Sequence, residues 1–489
     1  MMLKKTKYIL APAMKKNSFY ITTTLPYVNS DPHIGFAMEI IRADVIARYK
    51  KLLGFDVFFN TGTDEHGQKL FDSAEEEGIS VEEYIDRNAK KFKDLINLLN
   101  ISQDVHFIRT TDKHHIKAAQ EFWRICKNNG FIYKKEYQTK YCVGCELEKT
   151  DSELDEAGQC IIHPNNKIEL RNEENYFFKF SDFQKPLINF YEKNPDFVIP
   201  DFRFNEIKTF VKNGIEDFSI SRLKSKMSWG VPVPDDDEHV MYVWFDALVN
   251  YISTLGWPED KENFEKYWAN GNPVQYCGKD NLRQQSAMWQ AMLMAVKLPN
   301  TKNIIIDGFI TGEGGVKMSK SIGNVINPSD IVAEYGTDAL RYFLLREVSS
   351  FEDSPFTIER FKEAYNSGLA NGLGNLTSRI LTLSEKYLDL ITYVRPSYKE
   401  SLENFDLKKS MDIIWENIGT LDKYIQKEQP FSIIKTDEAK GRELIKNCVS
   451  QLYTIALMLE PFLPETSKKI QKLIKENKKP EQPLFLRKE

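Results

Sequence analysis

Residues 19–36 read FYITTTLPYVNSDPHIGF, which is a strand-like run followed by a turn and the start of a helix. The helix is predicted from apolar residues at helical spacing, namely Ala37, Ile40, Ile41, Ala43 and Val45. His33 and Gly35 lie in the turn, where the free N–H groups of a helix N-terminus can bind an anion. Gly35 has no side chain, so a nucleotide can approach the backbone closely. With a second strand predicted at 56–60, the stretch indicates a parallel α/β sheet that binds ligands at the carboxyl ends of its strands.

A second motif, Lys317-Met318-Ser319-Lys320-Ser321, lies in a glycine-rich segment far along the chain. Lysines and hydroxyls on such a loop are suited to closing on a polyphosphate. Taken alone, each motif has an ordinary explanation: a helix start with one isolated histidine, or a lysine-rich surface loop. The two motifs together favour nucleotide binding.

The composition is that of a large globular protein without a membrane span. The chain has 489 residues, of which 42% are hydrophobic and 12% aromatic, enough for several packed domains. Mean hydropathy is −0.45, and no apolar run approaches the roughly 18 residues that a membrane span needs. The first sixteen residues lack the apolar core of a secretory signal, so we expect a cytoplasmic protein.

The net charge of −5 is unevenly distributed. Residues 371–489 carry 20 Lys and Arg against 17 Asp and Glu. This basic excess is compatible with an RNA partner, but a solvated helix face would explain it equally well.

Sheet-like and helical segments alternate up to about residue 130, then a cysteine-rich and proline-rich segment intervenes. Sheet-like runs return at 240–245 and 303–306, and a helical pattern fills the chain after about 371. The simplest architecture is one nucleotide-binding parallel sheet split by an insertion and followed by a helix bundle.

The insertion contains a metal-ligand pattern. Cys142 and Cys145 form one tight pair, and Cys160 and His163 form a second. Two such pairs can complete a closed tetrahedron around one Zn²⁺, which predicts a structural zinc knuckle. The alternative is four unrelated thiol and imidazole groups in a loop. Three isolated cysteines are expected to be ordinary core or half-exposed residues, namely Cys126, Cys277 and Cys448.

In combination, the histidine and lysine motifs resemble the nucleotide-binding signatures of class I aminoacyl-tRNA synthetases. From about residue 18 nearly the whole chain is similar to bacterial methionyl-tRNA synthetases. The similarity is carried by the two motifs, the cysteine pairs and six further stretches: 24–27, 61–67, 229–234, 242–247, 278–280 and 373–376.

The resemblance implies a Rossmann-type sheet with a zinc-bearing connective insertion and an α-helical anticodon-binding bundle. The expected segments are an N-terminal extension (1–16), the first half of the catalytic domain (17–130), the insertion (131–239), the second half (240–308), the lysine-loop and stem-contact region (309–370) and the bundle (371–489).

The resemblance also implies a two-step reaction. Methionine would attack the α-phosphorus of ATP, releasing pyrophosphate, and the methionyl-adenylate would then react with the 3′ end of tRNA(Met), elongator or initiator. His33 and Gly35 would hold the phosphates, Asp280 the ribose, and Lys317 and Lys320 the leaving pyrophosphate, with Mg²⁺ accompanying the nucleotide.

For methionine, the family pattern assigns the ammonium group to Asp64. The walls of the pocket would be Tyr27, Trp244, Ala247 and Tyr251. The backbone N–H of Leu25 and the hydroxyl of Tyr251 would recognise the sulfur, which is a weak acceptor. Core packing is the alternative explanation for the aromatic residues.

The anticodon would be read by Asn375, Arg379 and Phe431, although the first two also fit a plain helix surface. The chain departs from the commoner family pattern at four positions: Phe36 where a second histidine is usual, Gln285 where many relatives have a histidine, Leu248 for a proline, and Phe431 for a tryptophan.

The sequence favours this family over four other kinds of protein. The leucine, isoleucine and valine synthetases carry a larger insertion, and the cysteine enzyme uses its zinc on the substrate. A small-molecule nucleotidyltransferase would not need the helix bundle. An inactive RNA-binding paralogue is favoured only by Phe36. Because the chain ends near the end of the bundle, we expect a monomer.

Overall fold

The computed structural model describes residues 17–142, 147–149, 154–155, 157–160, 168–316, 318, 325–387 and 402–489. The strands in chain order are β1 (Ser18–Thr23), β2 (Asp56–Thr63), β3 (His106–Arg109), β4 (Ile132–Cys142), β5 (Leu147–Lys149), β6 (Ile168–Phe178), β7 (Val198–Ile199), β8 (Phe218–Ser219), β9 (Ser221–Leu223), β10 (His239–Met241), β11 (Pro273–Gly278), β12 (Asn303–Asp307), β13 (Ile310–Thr311) and β14 (Ser354–Pro355).

The helices up to the bundle are α1 (Ile34–Leu52), α2 (Gln68–Glu77), α3 (Val81–Leu98), α4 (Lys113–Asn128), α5 (Gln184–Lys193), α6 (Asp201–Lys212), α7 (Val243–Leu248), α8 (Asn250–Ser253), α9 (Lys261–Asn263), α10 (Trp289–Ala295), α11 (Pro328–Tyr335), α12 (Thr337–Tyr342) and α13 (Ile358–Ala364). The bundle helices are α14 (Asn375–Tyr387), α15 (Leu407–Glu428), α16 (Pro430–Thr436), α17 (Glu438–Leu459) and α18 (Pro464–Lys475). Within the described residues, no helix is long and apolar enough to cross a membrane.

Six parallel strands form the central sheet, in the order β3-β2-β1-β11-β12-β7. The strand order reverses between β1 and β11, where Tyr20 pairs with Pro273 and Thr23 with Tyr276. In doubly wound sheets of this kind, ligands bind in the crevice outside the carboxyl ends of the two strands at the reversal. The fold therefore places a binding crevice beyond Thr23 and Gly278.

Side chains alternate between the two faces of the sheet, and each face has its own hydrophobic core. Phe19 and Ile21 of β1 belong to the core that includes α1 and the bundle helices. Tyr20 belongs to the core that includes α4, α10 and the insertion. The helix bundle thus shares a continuous core with one face of the central sheet.

The insertion carries a second, antiparallel sheet with the order β5-β4-β6-β8. Its long hairpin pairs β4 with β6 along their full length, from Ile132 with Phe178 to Cys142 with Ile168. The edge strand β7 lies within the same sequence range as the insertion, yet it pairs in parallel with β12 of the central sheet.

The structure differs from the sequence-based expectation in two places: one predicted strand is absent from the central sheet, and one strand of that sheet was not predicted. The run 240–245 is not a strand of the central sheet: β10 pairs with β9, and α7 begins at Val243. Aromatic and β-branched residues favour strands, but Phe245 packs edge-to-face on Trp123 with ring centroids 5.2 Å apart. Tertiary packing thus outweighs local propensity here. The second difference is β11, which the sequence analysis did not identify.

Candidate active site

An open cleft of about 210 Å³ lies at the carboxyl ends of β1 and β11. Its lining residues come from the end of β1, the start of α1 and the ends of β11 and β12; among them are Thr24, His33, Gly35, Glu39, Asp280 and Asp307. Three of the residues predicted to bind ATP, His33, Gly35 and Asp280, are therefore brought together. The cleft is the crevice that the strand order predicts.

His33 is the N-cap of α1, and its Nδ1 accepts a hydrogen bond from the backbone N–H of Gly35 at 3.1 Å. Partial removal from water lowers the pKa of His33, and the charge of Asp280 opposes this only in part. A neutral imidazole that accepts at Nδ1 carries its proton on Nε2. His33 therefore offers one N–H donor to the cleft.

Asp280 lies in the short turn after β11. A Cβ atom on Gly278 would stand 2.8 Å from Asp280 Oδ1. Since real Cβ atoms essentially never approach so closely, glycine at 278 leaves room for this carboxylate. Asp280 thus faces the cleft directly beyond the end of β11.

Two further acidic residues, Glu39 and Asp307, line the cleft, and neither was predicted from the sequence. Glu39 accepts a hydrogen bond from the backbone N–H of Thr24 at 2.7 Å. Burial, reinforced by the charge of Asp307, raises the pKa of Glu39 well above its usual range. Burial also raises the pKa of Asp307 to about 6, against the opposing charge of Arg42 at 2.9 Å. Asp307 directly follows the predicted strand at 303–306, and this position could have marked it as a residue of the site.

Beside the cleft, the loop after β2 presents a buried carboxylate. Asp64 forms a parallel β-bridge with Tyr27 and is only 8% exposed. Its Oδ1 has no hydrogen-bond partner among the described residues. Burial and the neighbouring charge of Asp246 raise the pKa of Asp64 well above its usual range. A buried carboxylate oxygen without a partner is suited to receive a cationic group.

Asp246 was also missed by the sequence analysis. Its Oδ2 is 2.7 Å from Nδ1 of His66, and both side chains are buried. Within the described part of the chain, the other carboxylate oxygen of Asp246 has no partner either. The two acids and His66 therefore form one electrostatic unit next to Tyr27.

The remaining residues predicted to bind methionine have different environments. Leu25 and Tyr251 are buried, whereas Trp244 is 44% exposed. Ala247 is half-buried on the same helix as Trp244. The ring of Tyr27 lies over Gly67, where a Cβ atom would stand 2.7 Å from the tyrosine hydroxyl. Tyr27 therefore contacts Asp64 through the backbone bridge and packs on Gly67, whereas much of the Trp244 side chain is exposed to solvent.

The unusual residue Phe36 is part of the core. It is 8% exposed and packs edge-to-face on Phe92, with ring centroids 5.3 Å apart. Phe36 thus packs against an apolar partner from α3 and also forms part of the cleft lining.

Several predicted site residues lie outside the described residues: Lys317, Lys320, Cys145 and His163. Cys142 is the last residue of β4, and its side chain is not described. Cys160 is buried and lies in an isolated bridge with Leu154. The described residues contain no cluster of three metal-binding side chains. The isolated cysteines at 126, 277 and 448 are buried, as expected.

A second cleft, of about 560 Å³, lies in the helix bundle. It brings together Arg379 of α14 and Phe431 of α16, and Phe431 is 44% exposed. Arg379 is held at 2.6 Å by Asp422 of α15. Asn375 is exposed one turn before Arg379 and does not line the cleft.

Two family models match the chain. One, described as tRNA synthetases class I (M), matches residues 19–167 and 152–381. The other, described as the anticodon binding domain of methionyl tRNA ligase, matches residues 382–483. Together they extend over the sheet, the insertion and the bundle.

Curated relatives and solved structures agree with these models. The methionine–tRNA ligase of Thermotoga maritima is 40% identical over 483 residues, covering 94% of this chain and 76% of the relative. That of Brucella suis is 38% identical, covering 94% and 92%. The structure of Mycobacterium tuberculosis methionyl-tRNA synthetase in complex with methionyl-adenylate has a TM-score of 0.84 at 35% identity, covering 94% of each chain. The chain therefore belongs to the class I methionyl-tRNA synthetases and is a methionine–tRNA ligase.

Proposed function

We propose that the crevice between β1 and β11 holds ATP and methionine side by side and joins them as methionyl-adenylate. The observation that carries this assignment is the buried Asp64 carboxylate oxygen, which has no partner among the described residues. It lies in the loop directly after β2, and β2 pairs with β1, the strand that leads into the turn of His33 and Gly35. A cationic amino group held there brings its own carboxylate towards the nucleotide.

ATP would bind with its phosphates at the N-terminus of α1. The N–H groups of the first turn and the Nε2 proton of His33 would stabilise negative charge on the phosphoryl oxygens. Asp280 would accept hydrogen bonds from the ribose hydroxyls. Lys317 and Lys320 would neutralise the leaving pyrophosphate, together with Mg²⁺.

In the first step, a carboxylate oxygen of methionine forms a bond to the α-phosphorus, and the bond from that phosphorus to the pyrophosphate oxygen breaks. In the second, a terminal ribose hydroxyl of tRNA(Met) attacks the carbonyl carbon, its proton leaves, and AMP departs. Neither step requires a covalent bond to the protein, so catalysis comes from positioning and electrostatic stabilisation.

Asp64 would hold the ammonium group of methionine, and Tyr27, Trp244 and Ala247 would enclose its side chain. Trp244 is exposed, and among the described residues its one aromatic neighbour is Tyr242, with ring centroids 5.7 Å apart, so the indole is free to turn onto a bound amino acid. The N–H of Leu25 and the hydroxyl of Tyr251 would meet the sulfur.

A structural Zn²⁺ would be held by Cys142, Cys145, Cys160 and His163, which lie in the sequence between the start of β4 and the start of β6. Three thiolates and one imidazole suit a closed tetrahedral zinc site, and the buried Cys160 follows a tight turn at Gly158, with φ +73°. Metal analysis of folded protein should find about one zinc per chain. Much less than one would overturn the assignment.

In the bundle, Phe431 would stack on an unpaired anticodon base, and Asn375 and Arg379 would contact base edges. Both elongator and initiator tRNA(Met) are proposed substrates, in the cytoplasm. We propose a monomer, and a stable dimer in static light scattering at micromolar concentration would contradict this.

The central test is exchange of labelled pyrophosphate into ATP with each of the twenty amino acids in turn. Exchange with methionine alone is the expected result. Exchange with another amino acid would overturn the pocket assignment, and no exchange from folded, zinc-loaded protein would overturn the proposed chemistry.

A further inference from the structure

An open groove of about 760 Å³ lies between the insertion and the loop that precedes α15. One wall is formed by residues around β7 and the start of α6, and the other by residues 403–405. Asn303, the first residue of β12, also lines the groove. The groove therefore reaches the amino-terminal end of the central sheet, whereas the active-site crevice lies at the carboxyl end.

The rim of the groove is acidic. Asp196, Asp201 and Glu403 line it, and none of the described lining residues is a lysine or an arginine. Glu403 forms an ion pair with Lys50 at 2.7 Å. Asp196 and Asp201 are exposed, and neither forms an ion pair with another described residue. The rim thus presents two uncompensated carboxylates, which favour a positively charged occupant.

The floor of the groove is apolar. Ile199 is half-buried, Phe405 is buried, and Phe202 is 46% exposed. The guanidinium of Arg203 lies 5.0 Å from the centroid of the Phe202 ring and is paired with Glu206 at 2.7 Å. An exposed phenyl ring beside other apolar side chains is typical of a surface that is covered by a partner. An occupant of this groove therefore needs apolar side chains as well as positive charge.

Residues 1–16, the N-terminal segment, have this combination. They precede the described part of the chain and read MMLKKTKYILAPAMKK, with five lysines and no acidic residue. The apolar run 8–14 separates two groups of lysines. A nucleic-acid backbone would be bound by the lysines alone, whereas the groove matches both the charge and the apolar run.

The N-terminal segment joins the fold close to the groove. β1 begins at Ser18, and the Nζ of Lys50, which is paired with Glu403 on the rim, lies 5.3 Å from the ring centroid of Phe19. Asn303 lies on β12, two strands away from β1, which is about 10 Å at the usual strand spacing. Sixteen extended residues span about 50 Å, so the segment is long enough to lie along the groove.

We propose that the groove is the docking site of the N-terminal segment of the same chain. Its lysines bind the carboxylates of Asp196 and Asp201, and its apolar run covers Phe202. Because the segment is tethered to β1, its effective concentration at the groove is high and weak contacts suffice to hold it. Docking would join the amino end of β1 to the insertion and to the loop before α15. This inference is independent of the proposed function.

Trypsin cleavage within residues 1–16, followed by intact mass spectrometry, tests the docking in the full chain. Cleavage of a docked segment tracks the fraction that is undocked, so wild type should be cut more slowly than a free peptide of residues 1–16. D196N/D201N removes both rim charges without adding a trypsin site. Its segment should be cut about three- to tenfold faster than that of wild type, as expected for the loss of two exposed ion pairs. F202A should change the rate in the same direction.

E75Q/E76Q is the matched control. Glu75 and Glu76 are exposed on α2, which follows β2 near the opposite edge of the central sheet. The control changes the net charge by the same amount and should leave the cleavage rate of the segment unchanged. Thermal unfolding and pyrophosphate exchange should match wild type in all three variants, because none of these residues belongs to the active site.

Four outcomes would overturn the proposal. The first is cleavage of wild type as fast as the free peptide, and the second is an equal rate in wild type and D196N/D201N. In the third, protection increases with protein concentration, which would show that the segment binds a second copy. In the fourth, protection appears only when tRNA(Met) is added, which would show that the segment binds RNA.

Discussion

Arg341 of α12 donates a hydrogen bond to Asp44 of α1 at 2.9 Å, and neither side chain has any exposed surface. The same guanidinium donates to the carbonyl of Phe462, beyond α17, at 2.7 Å and to that of Leu99, after α3, at 3.2 Å. The buried Arg341 thus links α1, which packs against the central sheet, to the end of α17 in the helix bundle.

Removal of one partner of this pair should destabilise the protein strongly. R341M leaves a buried carboxylate without its charge partner, and loss of one member of a buried pair costs about 3–5 kcal/mol. The free energy of unfolding, measured by denaturant titration, should fall by that amount. K90A, which removes an exposed ion pair with Asp94, is the control and should have little effect. A fall in R341M no larger than in K90A would contradict the prediction.

The Arg341–Asp44 pair should also contribute to acid sensitivity. Burial alone would raise the pKa of Asp44, but the charges of Arg341 and Arg48 and the hydrogen bond from Ser102 lower it below its usual value. A carboxyl group whose pKa is lower in the folded state stabilises that state above the unfolded pKa of about 4. This stability is lost as the pH falls through the folded pKa. Unfolding free energies of wild type and D44N should converge at low pH.

Methionine binding should strengthen as the pH rises from mildly acidic towards neutral. Burial and Asp246 raise the pKa of Asp64, so free Asp64 keeps its proton to a higher pH than an exposed carboxyl group. An ammonium group requires the carboxylate, so binding releases a proton and KM for methionine should fall with increasing pH. D246N removes the neighbouring charge and should move this dependence to lower pH. A KM that is independent of pH in both proteins would refute the coupling.

His33 should act through its Nε2 donor as well as through the helix cap. H33A removes both and should lower kcat for pyrophosphate exchange about 10²- to 10³-fold, as loss of one charge-stabilising donor commonly does. H33N can still accept from the N–H of Gly35 and presents an amide donor, so it should lose less. Equal activity of the two variants would show that the donor is not used.

Anticodon recognition should depend on Phe431 independently of adenylate formation. Loss of base stacking costs about 1–3 kcal/mol, so F431A should raise KM for tRNA(Met) in aminoacylation while pyrophosphate exchange stays unchanged. F202A, which removes an exposed phenylalanine from α6, is the control and should change neither assay. If F431A lowered both activities equally, the effect would be on folding rather than on the anticodon.

Local sequence patterns predicted the parts of the fold whose signals are local. Short-range patterns predicted the strand–turn–helix at the histidine motif, the strands at 56–60 and 303–306, which lie within β2 and β12, and the helical character of the bundle. Strand β11 was missed because its sequence, PVQYCG, has proline and glycine at its ends and a buried glutamine in the middle. Its strand conformation is imposed by β1 and β12 on either side.

Site residues that lie next to a sequence motif were predicted. Site residues that are defined by a contact between distant segments were missed. His33 and Gly35 were identified from the strand–turn–helix pattern around them, whereas Asp64 and Asp280 were assigned through the resemblance to the family. The hydrogen bonds between His66 and Asp246 and between Gln285 and Tyr251 join segments that are far apart in the chain, and no local spacing indicates them. The packing of Phe36 likewise depends on a distant residue, Phe92.

The reversal of strand order at β1 has a consequence for synthesis on the ribosome. One edge of β1 can pair with β2 as soon as that strand emerges, but the other waits for β11, whose first residue, Pro273, pairs with Tyr20. A nascent chain of this protein therefore exposes an unpaired strand edge until more than half of the sequence has been translated. The crevice at the carboxyl ends of β1 and β11, where we propose that ATP and methionine bind, therefore forms only after β11 has been synthesised.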